Sequence, residues 1–400
     1  MHTNGPVNPD NALDRLRCRL LADPSLWAPL GDIADANQFT AAVMTLAGGL
    51  GLPVDEQAIQ AALRPLLPGA APVSGLRFTD PPPSKDWLPV STFWWGRQLC
   101  LRWSWFGTRP VREPFYGDSA QRTLFRPFNR FLRFVTPIEA LGPWLEAHPG
   151  LQPNGFVFHM SRCGSTLVSQ MLAAPARHVA ISEAPPIDDV VRARTVRPDL
   201  TEDEQARWLT WIVAALGQPR GEANRYFIKL DCWHTPWLPL FRRAFPEVPW
   251  MFLYREPVEV LESHRTMPGI QSIPGFFGQD LFGIDHLFQP DDLPGHLARF
   301  LAVICEPVVQ LHASLGGLLV NYRELPAAIH TRILPHFGVD LDAEDRAAMD
   351  AASRLDAKKP HQPFTPDEAA KQKSATEAAR AAAALHLSDV YRRLETARLQ

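Results

Sequence analysis

The stretch Phe156-Val-Phe-His-Met-Ser-Arg-Cys-Gly-Ser-Thr-Leu-Val-Ser-Gln-Met-Leu172 constrains the fold more than any other part of the chain. An apolar run, Phe156–Met160, passes straight into Ser161-Arg162-Cys163-Gly164-Ser165-Thr166. A helix is expected next, with Leu167, Val168, Met171 and Leu172 on its buried side. Gly164 permits a tight turn, and the N–H groups freed at a helix start cradle anions. Arg162, Ser165 and Thr166 add donors at the same place. A nucleoside-triphosphate loop would read Gly, four residues, Gly-Lys-Ser/Thr. Here His159 stands where the first Gly belongs and Ser165 where the Lys belongs, so a magnesium-assisted β/γ-phosphate clamp is poorly supported. By itself the stretch also fits an ordinary strand–turn–helix corner.

Short apolar runs recur at His178–Ser182, Tyr226–Leu230, Trp250–Tyr254 and Leu318–Tyr322, with helix-compatible stretches between them. Strands alternating with helices predict an α/β fold, a parallel sheet flanked by helices on both faces. Ahead of it, Ala12–Ala22, Gln38–Leu50 and Glu56–Leu67 are apolar-periodic and predict a helical module over residues 1–67. A linker-like Pro68–Pro89 follows, containing Pro81-Pro82-Pro83. Next, Thr92–Phe106 carries Trp94, Trp95, Trp103 and Trp105 around Gly96 and reads as a β-hairpin. The expected division is thus 1–67, 68–150 and 151–400. Asp367–Gln400 reads as one long terminal helix, with Thr365, Pro366 and Glu368 as a capping start.

The chain has 40 Lys plus Arg against 43 Asp plus Glu among 400 residues, a formal charge of −3. That balance offers no general attraction to nucleic acid or other polyanions, although a local basic pocket remains compatible with it. Cys18, Cys100, Cys163, Cys232 and Cys305 are far apart and lack metal-ligand spacing, which reads as free thiols in a reducing compartment. No secretory signal pattern opens the chain, and no apolar run approaches the roughly 20 residues of a membrane span. A soluble cytoplasmic protein is expected, with no membrane partner and an oligomeric state that the sequence leaves open.

A second motif lies at Phe252-Leu-Tyr-Arg255-Glu-Pro257-Val-Glu-Val-Leu-Glu-Ser263. A strand is expected to end at Arg255, and Pro257 suits the first turn of the next helix. Ser263 comes eight residues after the Arg, about two turns along. A guanidinium fork and a hydroxyl at that spacing can converge on one phosphate. A capped surface helix would carry the same pattern.

Together, in this order, the two motifs resemble those of the sulfotransferase superfamily, whose donor is 3′-phosphoadenosine 5′-phosphosulfate. The resemblance covers roughly residues 153–340. In that family the first loop holds the 5′-phosphosulfate, so it implies cofactor contacts from Arg162, Cys163, Gly164, Ser165 and Thr166. Arg162 stands where the tyrosylprotein branch has Arg and cytosolic steroid and phenol enzymes have Lys. The second motif implies that Arg255 and Ser263 hold the 3′-phosphate. Leu319-Val-Asn-Tyr-Arg-Glu-Leu325 and Ile333-Leu-Pro-His-Phe-Gly338 look like late elements of the same fold, although Arg323-Glu324 departs from the usual Glu-Asp.

Sulfuryl transfer needs a base for the acceptor proton and positive charge around the sulfuryl oxygens, and no metal is required by that logic. Glu183 ends the second strand, at the edge where open α/β sheets bind ligands, and is the candidate base. The tyrosylprotein branch has its catalytic Glu at a matching place. The alternative is a Glu capping the next helix, with Asp188 and Asp189 as fallback carboxylates. Lys229 ends the third strand, and the resemblance implies that it stabilises the transferring group alongside Arg162; a plain surface Lys is the alternative. The cytosolic branch has a catalytic His where this chain has Asp231, and His234 is out of register. The resemblance implies a late basic loop closing over the cofactor, where Lys358 and Lys359 are placed; a solvated surface pair is the alternative. The Trp-rich hairpin and Pro268–Gly295 are candidates to shape an acceptor pocket, or are simply core. The acceptor is expected to be a small molecule or peptide. Two rivals stand beside this reading, an ATP-dependent P-loop kinase and a non-catalytic nucleotide-binding scaffold.

Overall fold

The computed structural model describes residues 11–65, 84–277, 281–365 and 367–400. The chain divides into two units, Met1–Leu151 with Ala184–Gly221, and Gln152–Glu183 with Glu222–Gln400. This differs from a division at 67 and 150. The N-terminal helices and the hairpin share one unit, and 184–221 joins them rather than the sheet that precedes it.

In the first unit the expected helices are found at Ala12–Ala22, Ala36–Gly49 and Glu56–Ala62. The Asn11, Asp35 and Asp55 side chains cap them by accepting first-turn N–H groups. The third helix stops at Ala62, short of the expected Leu67. Most of the linker, residues 68–83, lies outside the described residues, and Trp87–Pro89 already belongs to a strand. That strand, β1 (Trp87–Trp95), pairs antiparallel with β2 (Gln98–Trp105). The turn residue Gly96 has φ 59°. A strand the sequence did not announce, β3 (Val135–Pro137), extends β2. Trp87, Trp103 and Trp105 are buried, and Trp87 and Trp105 pack with Trp27 and Phe128. The hairpin tryptophans other than the half-exposed Trp95 therefore serve mainly as core. The Glu202–Leu216 helix, started by a Thr201/Glu204 capping box, sets Trp208 against Trp94 in this unit.

The second unit holds β4 (Gly155–His159), β5 (His178–Ser182), β6 (Arg225–Lys229), β7 (Trp250–Tyr254) and β8 (Gly317–Asn321). They form one parallel sheet in the order β5-β6-β4-β7-β8. Phe156, Val157, Phe158, Met251, Phe252 and Leu253 are all buried, which is why these strands read as unbroken apolar runs. Burying each such side chain fully stabilises the fold by about 1.5–3 kcal/mol. The chain leaves β4 toward β5 on one side and reaches β7 and β8 on the other. The β4 carboxyl end is thus a point where the strand order reverses, the usual ligand crevice of such sheets.

Two expectations are corrected. The tail is three helices, Glu368–Ser374, Glu377–His386 and Ser388–Arg398. Extended Ala375 breaks it, and Thr376 starts a new helix by accepting Ala379 N–H. The first tail helix has Asp367, not Thr365, at its N-cap, and Pro366 lies outside the described residues. One described helix, Leu293–Leu315, is long and apolar enough to span a bilayer by length and composition. Its buried face includes Phe300, Leu301, Ile304 and Cys305.

Candidate active site

The parallel register places the expected site residues along one edge. Lys229 pairs with Ser182 on one side and Val157 on the other, so Glu183 lies one residue past the β5 end. His159 pairs with Leu253, which puts Arg255 two residues farther along. From β4 the chain turns through Ser161 (φ 76°), Arg162 (φ 50°) and Gly164 (φ 87°) into the helix Ser165–Ala173. No side chain caps that helix. The first N–H groups of a helix have no intrahelical partner, so this start offers donors to an anion. A Cβ on Gly164 would stand 2.7 Å from the Tyr322 ring, so any side chain there forces the ring or the turn to shift. Cys163 is buried and donates its thiol to the Leu253 carbonyl at 3.1 Å, pinning the loop to β7. Burial pushes that thiol up to about 11, so it acts as a fastener and not a nucleophile. Ser165 and Thr166 are buried in the first turn.

Ser161, Arg162 and Glu183 are the non-glycine residues with positive φ among those described. Such conformations cost about 1–3 kcal/mol each and persist where the surroundings enforce them. All three fall at the edge that sequence alone singled out. Glu183 N–H donates to the Lys229 carbonyl at 2.8 Å, and Glu183 Oε1 lies 2.8 Å from Lys229 Nζ. Lys229 is almost completely buried, so it is no plain surface lysine. The next helix, Pro185–Val191, has Ala184 at its N-cap and no side-chain cap, so Glu183 is not a helix cap. Burial would raise the Glu183 carboxyl. The Lys229 ammonium and His159 outweigh it and hold the group low, at about 2.

The fallback carboxylates have structural partners in the other unit. Asp188 takes a forked contact from Arg192, at 3.0 and 2.6 Å, and Asp189 accepts from Thr92. Asp231 lies 3.7 Å from the buried His234, a pairing that suits support.

Arg255 differs from the expected free fork. Its Nε donates to Glu259 at 2.6 Å, another nitrogen donates to Asp367 at 2.8 Å, and the guanidinium lies 3.9 Å from the Tyr322 ring centre. Ser263 sits in the helix Pro257–Thr266 that starts just after Arg255. Lys358 occupies the turn between the short strands β9 (Leu355–Asp356) and β10 (Lys359–Pro363). Its side chain keeps solvent access, yet desolvation of the ammonium and the Arg162 and Lys229 charges lower it to about 8. The Lys359 side chain lies outside the described residues.

Four residues at this edge were missed by sequence reasoning. Lys371 is 2.6 Å from Asp367 and feels the charges of Arg255 and Arg162. Their four-residue spacing on a helix is a signal that was there to be used. The other two, His159 and His264, both touch Ser161. Burial, then Arg162 and Lys358, hold His264 down to about 3, so it is neutral. Cations from distant segments therefore converge beside an uncapped helix start, with one strained carboxylate among them.

No protein-family model and no curated protein matches the chain. Similar solved structures include the sulfotransferase domain of the Synechococcus PCC 7002 olefin synthase, at 21% identity over 62% of this chain and 95% of that one, TM-score 0.38. The sulfotransferase domain from the curacin biosynthetic pathway is 14% identical over 62% of this chain and 98% of that one, TM-score 0.37. A Mycobacterium avium sulfotransferase is 13% identical over 58% and 79%, TM-score 0.36. A likeness at those scores carries no argument, and the α/β fold rests on the strand order itself.

Proposed function

We propose that the protein is a cytoplasmic sulfotransferase that moves a sulfuryl group from 3′-phosphoadenosine 5′-phosphosulfate to a hydroxyl or amine of a small-molecule or peptide acceptor. The observation that carries this reading is the convergence of Arg162, Lys229, Arg255 and Lys358 around the left-handed turn Ser161–Arg162, with Glu183 held against Lys229. A donor bearing phosphates at both ends of a nucleoside needs such a spread of cations, and one phosphate does not.

The acceptor oxygen or nitrogen attacks sulfur, and the bond from sulfur to the 5′-phosphate oxygen breaks. The acceptor proton passes to the Glu183 carboxylate, and adenosine 3′,5′-bisphosphate leaves. Lys229 and Arg162 stabilise charge on the sulfuryl oxygens. A carboxylate held below its usual range by an adjacent ammonium is a weakened base. Movement of the Lys229 ammonium from Glu183 to the sulfuryl group would raise the carboxyl pKa as the donor seats. The chemistry is complete without a metal.

Calorimetry tests the donor site. Adenosine 3′,5′-bisphosphate should bind about 30- to 1000-fold more tightly than AMP, the worth of charge-assisted contacts to the 3′-phosphate. Transfer of labelled sulfate from the donor into an acceptor mixture completes the test. Equal affinity for AMP, or magnesium-dependent ATP turnover in place of sulfate transfer, overturns the reading.

A further inference from the structure

We propose that His159 is a positioning residue that ties the anion-binding turn to the candidate base, an inference that rests on the sulfotransferase reading and deepens it. His159 ends β4 and is 4% exposed. Its Nδ1 accepts the Ser161 N–H at 3.0 Å. That bond fixes the tautomer, so the ring proton is on Nε2. The Nε2–H donates to the Leu230 carbonyl at 2.9 Å and faces Glu183 Oε1 at 3.4 Å. One imidazole thus touches both interruptions of normal backbone geometry, the Ser161–Arg162 turn and Glu183.

Burial, opposed by the Glu183 contact, lowers the ring below its ordinary value. A neutral ring with both nitrogens engaged neither takes nor gives a proton, so the acceptor proton stops at Glu183. The arrangement continues beyond Ser161. Its Oγ lies 3.2 Å from His264 Nε2 and accepts from Gln271 Nε2 at 2.6 Å, while His264 Nδ1 accepts the Gly269 N–H at 3.2 Å. The turn that would hold the donor and the carboxylate that would act on the acceptor are therefore fixed by one side chain.

The groups facing Glu183 are Lys229 from β6, His159 from β4, Lys358 from the β9–β10 turn and Cys232. His159 turns its Nε2–H toward Glu183 Oε1 and favours the carboxylate, so its removal raises the Glu183 pKa. His159→Asn keeps an acceptor near Nδ1 for Ser161 N–H but falls short of Glu183. His159→Ala removes both contacts.

His159→Asn should bind adenosine 3′,5′-bisphosphate within about threefold of the unchanged protein, while turnover falls about 10- to 100-fold and its acid limb moves to higher pH. His159→Ala should lose bisphosphate affinity as well. Independently of any activity, the His159 ring in the unchanged protein should show ¹⁵N shifts of the Nε2–H tautomer from pH 8 to pH 5. The Glu183 carboxyl ¹³C titration, identified by its loss in Glu183→Gln, should move upward in His159→Asn. Absence of sulfate transfer by the unchanged protein, with these NMR results intact, counts against the enzyme reading alone. An Nδ1–H tautomer, a ring that protonates near neutral pH, or an unmoved Glu183 titration overturns the role of His159.

Discussion

Replacing Lys229 by Met removes an ammonium and keeps an apolar stem of similar length. The ammonium lies 2.8 Å from Glu183 Oε1, with Lys229 1% and the Glu183 side chain 24% exposed. Burial drives the carboxyl up, Lys229 and His159 drive it down further, and the balance lies below the ordinary carboxylate value. Free Glu titrates near 4.3. Because the folded value lies below the unfolded one, Glu183 contributes stability that is present above about pH 4.3 and lost as the pH falls through the lowered folded value. Without the ammonium, burial dominates and the folded value rises above the unfolded one. The contribution is then present only at acid pH and is lost as the pH rises through the new value. Lys229→Met should therefore cost most at neutral pH, about 3–5 kcal/mol for an orphaned buried charge. The deficit should shrink markedly at pH 4, where the carboxyl protonates. Urea unfolding at pH 7 and pH 4 reads this, with Glu183→Gln and the double variant closing the cycle. A deficit equal at both pH values, or undiminished in the Glu183→Gln background, refutes the ion-pair reasoning.

Three further outcomes are expected. Glu183→Gln should lower turnover about 100- to 10,000-fold while sparing bisphosphate affinity, and near-normal turnover removes it as the base. Asp367→Asn withdraws a carboxylate that competes for Arg255 and should tighten bisphosphate binding severalfold by calorimetry, whereas weaker binding means Asp367 orders the site instead. Gly164→Ala, at φ 87° and against Tyr322, should destabilise the protein by about 2 kcal/mol or more and weaken bisphosphate binding; an unaffected urea midpoint counts against the left-handed turn.

The sheet was legible because its strands are buried on both faces. Phe156–His159 and Trp250–Tyr254 appear as unbroken apolar runs, and the residues just beyond them had to lie on one edge. That placement put Arg162, Glu183, Lys229 and Arg255 along it, and the motif resemblance supplied the roles expected of them. What stayed hidden depends on distant pairing or on small local differences. The three-residue β3 is too short to show a period and exists through β2. The break at Ala375 turns on one Thr cap in an alanine-rich stretch. Asp367 reaches Arg255 from 112 residues away, which no spacing rule reports. His159 was visible as a polar residue closing an apolar strand, but its two partners were not.

The chain passes from one unit to the other between Glu183 and Ala184 and returns between Gly221 and Glu222. A gene fragment encoding only residues 152–400 would carry 184–221 without the first 151 residues that share its core. Trp208, buried here, would lose Trp94 of the hairpin against which it packs. A fragment starting at 222 would lose Glu183 and the anion-binding turn together. The sheet and its edge are not a portable cassette: in this chain the candidate base is also the suture, and grafting or truncation must carry both units.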